Sequence, residues 1–194
     1  GIGNVGLQVL KDIQSNVKIN KFLNIEKILV RDKGKYSKIL ESEFGLNNQI
    51  LEKLTDDFDN FINSNIDTVV ELIGGSDPAK EYVREALNYK KNVVTANKEI
   101  IASSIEELTS EAHLNKVKIR FEAAVGAGIP LIEVLIDMLK QNKISKITGI
   151  INGTSNYILS SMHDSNKSFD DSLKEAQNLG FAESDPTNGI GGFD

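Results

Sequence analysis

The stretch Gly1-Ile2-Gly3-Asn4-Val5-Gly6 decides how the rest of the chain is read. Its glycines fall in the spacing GxGxxG, and between a strand and a helix each has its own task. The first permits a tight turn, the second lets the backbone approach a pyrophosphate, and the third lets helix and strand pack closely. A helix starting here offers its unpaired N–H groups to phosphates. The spacing alone also fits plain turns, so the downstream rhythm carries the dinucleotide-binding reading. The strand leading into the motif is expected before Gly1, and the sequence is expected to be a piece of a longer chain.

Downstream the pattern alternates. Val5, Val9, Leu10 and Ile13 recur at helical spacing. Ile25, Ile28, Leu29 and Val30 form a strand-like run ending at Arg31. Residues 37–63 are polar and mostly helical. The run DTVVELI (67–73) reads as a buried strand closed by Gly74 and Gly75, and Asp77-Pro78 starts a helix to about Tyr89. Val93 to Thr95 is a strand, helices follow to about Asn115, and Val117 to Phe121 is another strand. Strands alternating with amphipathic helices predict an α/β fold, a Rossmann-type doubly wound parallel sheet over residues 1–121. Near Glu122 the character changes. A Gly-rich loop at 125–128 leads to a helix over 129–140, a strand over 144–151, helices over 154–164 and 168–179, and a loop-like end over 180–194. Residues 122–194 are therefore read as part of a second, α+β domain.

Composition bounds the function. Of 194 residues, 40% are hydrophobic and 26% charged, which is globular rather than disordered. The net charge of −6 argues against a nucleic-acid partner. The absence of cysteine excludes a disulfide, a zinc–thiolate site and a thiol nucleophile within these residues. No apolar run reaches the roughly 18 residues of a membrane span, and no secretory signal pattern is present. The expectation is a soluble cytoplasmic protein with no membrane partner.

Several residues stand out as chemistry. Arg31 and Asp32 end the second strand of the nucleotide fold, where an acid reads the free 2′-OH of NAD and an arginine suits the 2′-phosphate of NADP. Arg31, with Lys33 and Lys35 close by, leans towards NADP; a solvated charged loop is the alternative. Thr95-Ala96-Asn97-Lys98 lies where a strand gives way to a helix. A lysine in a first helical turn opposes the helix dipole, so Lys98 faces a phosphate, a carboxylate or a reacting oxygen, or is simply exposed. Glu122 with the loop carbonyls of 125–129 offers hard oxygen ligands for Na⁺ or K⁺, although a Gly-rich turn with Pro130 near the helix start explains the same residues. Asn152-Gly153-Thr154-Ser155 reads as a helix start with Thr154 or Ser155 as N-cap beside a substrate pocket, or as an Asn-Gly hairpin turn. Glu183, Asp185 and Asp194 share one acidic loop suited to an ammonium group or to proton transfer, or left solvated. His113 and His163 have no triad partner in the sequence and read as surface or packing residues.

Taken together, GIGNVG (1–6), VVELIGG (69–75), NVVTANKEIIA (92–102), FEAAVGAGIPLI (121–132), GIINGTSNYIL (149–159) and EAQNLGFAESDPT (175–187) resemble the homoserine dehydrogenase family. The resemblance covers nearly the whole chain in matching order. It implies interconversion of L-aspartate 4-semialdehyde and L-homoserine with NADPH or NADH, in threonine and methionine biosynthesis, by a homodimer whose second domain binds substrate and dimerises. It implies that Gly1, Ile2, Gly3, Asn4, Val5 and Gly6 cradle the pyrophosphate, with Gly74 near the nicotinamide and Lys98 also on the cofactor; Arg31, from its place at the strand end, and Thr95, beside Lys98, are read as cofactor-binding with them. Lys98 would act on the substrate side too. Glu122, Val125, Ala127 and Ile129 would hold a monovalent cation, the last three through main-chain oxygens. Glu183 would bind substrate and Asp194 would be an active-site aspartate; Asp185 in the same acidic loop and Thr154 at the helix start are read as substrate-binding with them. The family's principal acid, a lysine four residues beyond Asp194, lies past the last residue. Two departures stand out: Gly189 where the family carries aspartate, and Gly191 where it carries Glu or Asn. The missing thiol separates this chain from aspartate-semialdehyde dehydrogenase, which needs a thioester. A non-catalytic nucleotide-binding module of the same fold is the alternative class.

Overall fold

The architecture rests on two short parallel ladders. The computed structural model describes residues 1–44, 48–126, 128–182 and 186–191. The chain divides into two compact units, Gly1–Asp137 and Met138–Asp194.

The first unit alternates as expected. Helix α1 (Asn4–Ser15) and a short α2 (Val17–Asn20) precede β1 (Ile28–Leu29); α3 (Lys33–Phe44) and α4 (Asn48–Leu51) precede β2 (Leu54–Thr55). Then come α5 (Phe58–Ile62), β3 (Thr68–Glu71), α6 (Ala79–Asn88), β4 (Asn92–Thr95), α7 (Lys98–Leu114) and β5 (Ile119–Arg120). β1 and β2 pair in parallel, Ile28 beside Leu54. β3, β4 and β5 form a second parallel sheet in that order, with Glu71 beside Thr95 and Val93 beside Ile119. Parallel pairing needs a crossover between strands, and the intervening helices supply it.

Each ladder has its own core. Ile2, Leu10, Ile28, Val30, Leu40 and Leu54 pack around β1 and β2. Val69 and Val93 pack with Val83 and Leu87 of α6 and with Ile100 and Leu108 of α7. Full burial of a leucine such as Leu87 contributes about 1.5–3 kcal/mol. On β3 and β4 burial alternates. Val69, Glu71, Val93 and Thr95 are buried, whereas Val70 and Val94 are exposed. The unbroken apolar run predicts strands buried on both faces, but only one face meets the helical core. The pleat sends alternate residues to the other.

In the second unit, α8 (Ile132–Leu139) crosses the division, and α9 (Gly153–Ser165), α10 (Phe169–Asn178) and α11 (Thr187–Gly191) follow. α9 ends on Asn166 in the left-handed conformation, a role asparagine tolerates. Ser168 caps α10 by accepting from Asp171 N. Ile158 and Ala176 are buried, and Lys167 bonds Glu175 at 2.7 Å. The aromatic rings of Tyr157 and Phe181 lie 5.0 Å apart.

Several expectations need correction. The strand expected over 144–151 is not formed: no ladder partner faces it among the described residues, and Ile147, Ile150 and Ile151 are exposed. A strand exists only by pairing, so the apolar run alone could not make one. The stretch 37–63 contains β2, a two-residue strand that Leu54 earns by burial against the first core. The helix expected over 129–140 begins at Ile132, because Ile129 N is already committed to Gly126 O in the turn before it. The loop-like end carries the short α11. Among the described residues no helix is long and apolar enough to cross a membrane.

Candidate functional site: a dinucleotide cradle

The glycine turn is built by close approach. A Cβ on Gly1 would lie 3.1 Å from Leu72 O and 3.4 Å from Ile73 Cα, so the turn rests directly on the chain leaving β3. A Cβ on Gly6 would overlap the carbonyl oxygen of Gly1. Gly3 differs, since a Cβ there would meet nothing within 4 Å. Gly3 is also the N-cap of α1 and supplies no side-chain cap. The first amides of α1 therefore start at an open backbone position, which suits a pyrophosphate oxygen. A dinucleotide phosphate fits this cradle.

Arg31 and Asp32 follow buried Val30, and both are exposed. Asp32 Oδ1 accepts from Lys35 N at 2.8 Å, so its carboxylate serves the start of α3. Arg31 stands exposed at the same strand end.

The ends of β3 and β4 are tied by a buried network. Glu71 is 3% exposed and Thr95 0%. Thr95 Oγ1 donates to Glu71 Oε2 at 2.5 Å, and Ile73 N donates to Glu71 Oε1 at 2.6 Å. Asn97 N donates to Thr95 Oγ1 at 3.0 Å, and Asn97 Nδ2 donates to Gly75 O at 2.7 Å. Asn97 Oδ1 also accepts from Glu99 N and Ile100 N, capping α7. Lys98 is exposed and is the first residue of that helix. Gly74 and Gly75 have φ of 77° and 74°, a left-handed pair that side chains resist. The structure thus brings the glycine turn, Gly74, Thr95 and Lys98 to the carboxyl ends of neighbouring strands. Ligands bind there in open α/β sheets. Sequence reasoning missed Glu71 and Asn97. The available signal was a carboxylate inside an otherwise apolar strand, which must find partners when buried.

Glu122 sits in a 3₁₀ turn (Glu122–Ala124). Its Oε1 accepts from Leu131 N at 2.5 Å and Ile132 N at 2.9 Å, and Oε2 from Glu133 N at 3.0 Å. It therefore caps α8 from ten residues away. Three accepted bonds leave one of a carboxylate's roughly four lone-pair sites. Gly126 takes φ 74°, Val125 is extended, and Ile129 is exposed. Ala127 lies outside the described residues. Among the described residues no cluster of three or more His, Asp or Glu could hold a metal.

In the second unit Thr154 Oγ1 donates to Phe181 O at 2.5 Å, and Ser155 Oγ to Gly189 O at 2.8 Å. The N-cap of α9 is Asn152, whose side chain accepts from Ser155 N at 2.7 Å. The Thr154 or Ser155 cap expected from the sequence is thus corrected. Asn152 is extended and reaches the first turn, while the hydroxyls reach across to another segment. Glu183, Asp185 and Asp194 lie outside the described residues. His113 and His163 are exposed.

A glycine turn at a helix start, beside the carboxyl rim of a parallel sheet, defines a Rossmann-type dinucleotide-binding protein. The family model for the homoserine dehydrogenase NAD-binding domain matches residues 1–122, and that for homoserine dehydrogenase matches residues 130–194. The chain belongs to the homoserine dehydrogenase family. It is 40% identical to a Bacillus subtilis homoserine dehydrogenase over 199 aligned residues, covering 100% of this chain and 44% of that one. It is 48% identical to one from Neisseria gonorrhoeae over 139 residues, or 72% of this chain and 32% of that one. A homoserine dehydrogenase structure from Thiobacillus denitrificans aligns with TM-score 0.82 at 40% identity, over 98% of this chain and 43% of that one. A hyperthermophilic archaeal homoserine dehydrogenase in complex with NADPH aligns with TM-score 0.79 at 29% identity, over 100% of this chain and 63% of that one. The chain thus spans less than half the length of the bacterial relatives named here.

Proposed function

We propose that the whole protein is an oxidoreductase interconverting L-aspartate 4-semialdehyde and L-homoserine with a nicotinamide coenzyme. The observation that carries this reading is the joint presence of the open glycine cradle and family similarity along the full chain. Residues 1–121 form the nucleotide domain, and 122–194 belong to the substrate and dimerisation domain of a cytoplasmic homodimer.

When bound, the nicotinamide coenzyme supplies or accepts the hydride. This chain's residues do the holding. Gly1 to Gly6 seat the pyrophosphate on the α1 amides, and Gly74 borders the nicotinamide. Thr95 fixes the rim beside it. Arg31 meets a 2′-phosphate, which favours NADP over NAD, since Asp32 is engaged with α3. Lys98 carries positive charge at the rim, where it stabilises charge developing on an aldehyde oxygen. Glu183, Asp185 and Thr154 hold the substrate, the acids through its ammonium group, and Asp194 assists proton transfer. Glu122, with the main-chain oxygens of Val125, Ala127 and Ile129, holds Na⁺ or K⁺ using its remaining acceptor capacity.

The test is to mix the whole protein with aspartate semialdehyde and either coenzyme and follow coenzyme oxidation. Turnover faster with NADPH than NADH is expected. Nucleotide binding without turnover would leave a non-catalytic module.

A further inference from the structure

Resting on that reading of the site, we propose that Glu71 is a positioning residue: a buried two-pronged carboxylate that sets the Gly74–Gly75 loop for the nicotinamide end of the coenzyme. Its two oxygens have separate partners. Oε1 accepts from Ile73 N, and Oε2 accepts from the hydroxyl of Thr95 on the neighbouring strand. Through Thr95 the same carboxylate reaches Asn97, which grips Gly75 O and starts the helix that presents Lys98. One acid thus joins the exits of both strands.

A hydrophobic residue would serve the core better if packing were the only need, because burying a carboxylate among apolar neighbours costs free energy unless it is fully bonded. Glu71 shares its face with Val69, in the same core as Val93. What the acid supplies is a fixed acceptor for a backbone N–H at the start of a loop with two consecutive positive-φ glycines. Such a loop has little conformational preference of its own. Gly1 leans on Leu72 and Ile73, so the same anchor also backs the glycine turn.

Glu71→Gln tests this in the whole protein. The amide keeps an oxygen for Ile73 N but turns an NH₂ toward Thr95 Oγ1. That hydroxyl already accepts from Asn97 N and then has no acceptor for its own proton. Three readouts are needed: NADPH binding by fluorescence, kcat with aspartate semialdehyde, and binding of 2′,5′-ADP, which lacks both pyrophosphate and nicotinamide. NADPH affinity and kcat should each fall about tenfold, the size of one lost charge-assisted bond, while 2′,5′-ADP binds within about twofold of wild type. Thr95→Val should behave like Glu71→Gln, and Thr95→Ser, which retains the hydroxyl, should restore function to within about threefold. NADPH binding and kcat unchanged in Glu71→Gln would overturn the proposal. So would parallel loss of 2′,5′-ADP binding in both Glu71→Gln and Thr95→Val, which marks general unfolding. If the wild-type protein binds NADPH without turning over, the proposed reaction fails and the binding comparison still decides the role of Glu71. A wild-type protein that binds no nicotinamide nucleotide overturns both.

Discussion

Gly6 packs so closely against Gly1 that any side-chain carbon on Gly6 would overlap the Gly1 carbonyl oxygen, whereas Gly3, between them in sequence, faces open space. Gly6 therefore answers to the fold, and under the proposed function Gly3 answers to the coenzyme. Gly6→Ala should destabilise the protein by about 1–3 kcal/mol through overpacking and weaken NADPH binding with it. Gly3→Ala should leave stability within about 0.5 kcal/mol yet lower NADPH affinity about tenfold, because the new methyl occupies the pyrophosphate's approach. Thermal melts paired with NADPH titrations separate the two; equal melting losses in both variants would defeat this division of labour.

Arg31 and Asp32 separate in the same way. Arg31→Ala should raise KM for NADPH about tenfold and leave KM for NADH nearly unchanged, as expected for one charge-assisted phosphate contact. Asp32→Ala should leave the NADPH-to-NADH ratio alone and cost about 0.5–2 kcal/mol of stability, the usual loss for a helix cap. A changed coenzyme ratio in Asp32→Ala would mean that its carboxylate leaves α3 to read the ribose.

Glu122 bonds three successive amides at the start of α8. Glu122→Ala should lower stability by about 0.5–2 kcal/mol, the usual loss for a helix cap, since these half-buried and exposed donors turn to water instead. If the same carboxylate also binds a monovalent cation, replacing Na⁺ and K⁺ by a bulky quaternary ammonium should lower the wild-type melting temperature and leave that of Glu122→Ala unmoved. An identical salt response in both proteins would restrict Glu122 to capping.

The hydrogen bond from Lys167 holds the Glu175 carboxyl below its ordinary range, with that lysine's charge adding to the effect. The folded protein then gives up this proton more readily than the unfolded chain. The contribution is full above the ordinary glutamate pKa of 4.5 and fades as pH falls through the lower folded value. Both side chains are more than a third exposed, so the effect is small and salt-sensitive. Melting curves of wild type and Glu175→Gln from neutral to acid pH should converge at the acid end; a gap that widens there contradicts the assignment.

The readable part of the molecule was what repeats locally. Val5, Val9, Leu10 and Ile13 mark α1 because a helix repeats its apolar face every three to four residues, and the glycine spacing states its own backbone needs. What escaped was set by distant partners. Leu54 and Thr55 became a strand only because Ile28 and Leu29 lie alongside. Residues 144–151 have the composition of a strand and no ladder. The acceptors of the site, Glu71 at Thr95 and Glu122 at Leu131, join positions 24 and 9 residues apart, beyond any periodic signal. Lys98 could be singled out because it breaks a local rule, the one for charge near a helix start, whereas Gly74 was marked by the family resemblance alone.

The parallel register of β3 and β4 sets Glu71 level with Thr95 and Val69 level with Val93. Slide one strand by a single residue and Val70 arrives opposite Thr95, while Glu71 turns out of the core. Oily phase and polar address are therefore locked to the same count. A chain that mispairs here cannot keep a sound interior around a spoiled rim; it forfeits the two together. Proofreading of the nucleotide loop is thereby delegated to the hydrophobic effect.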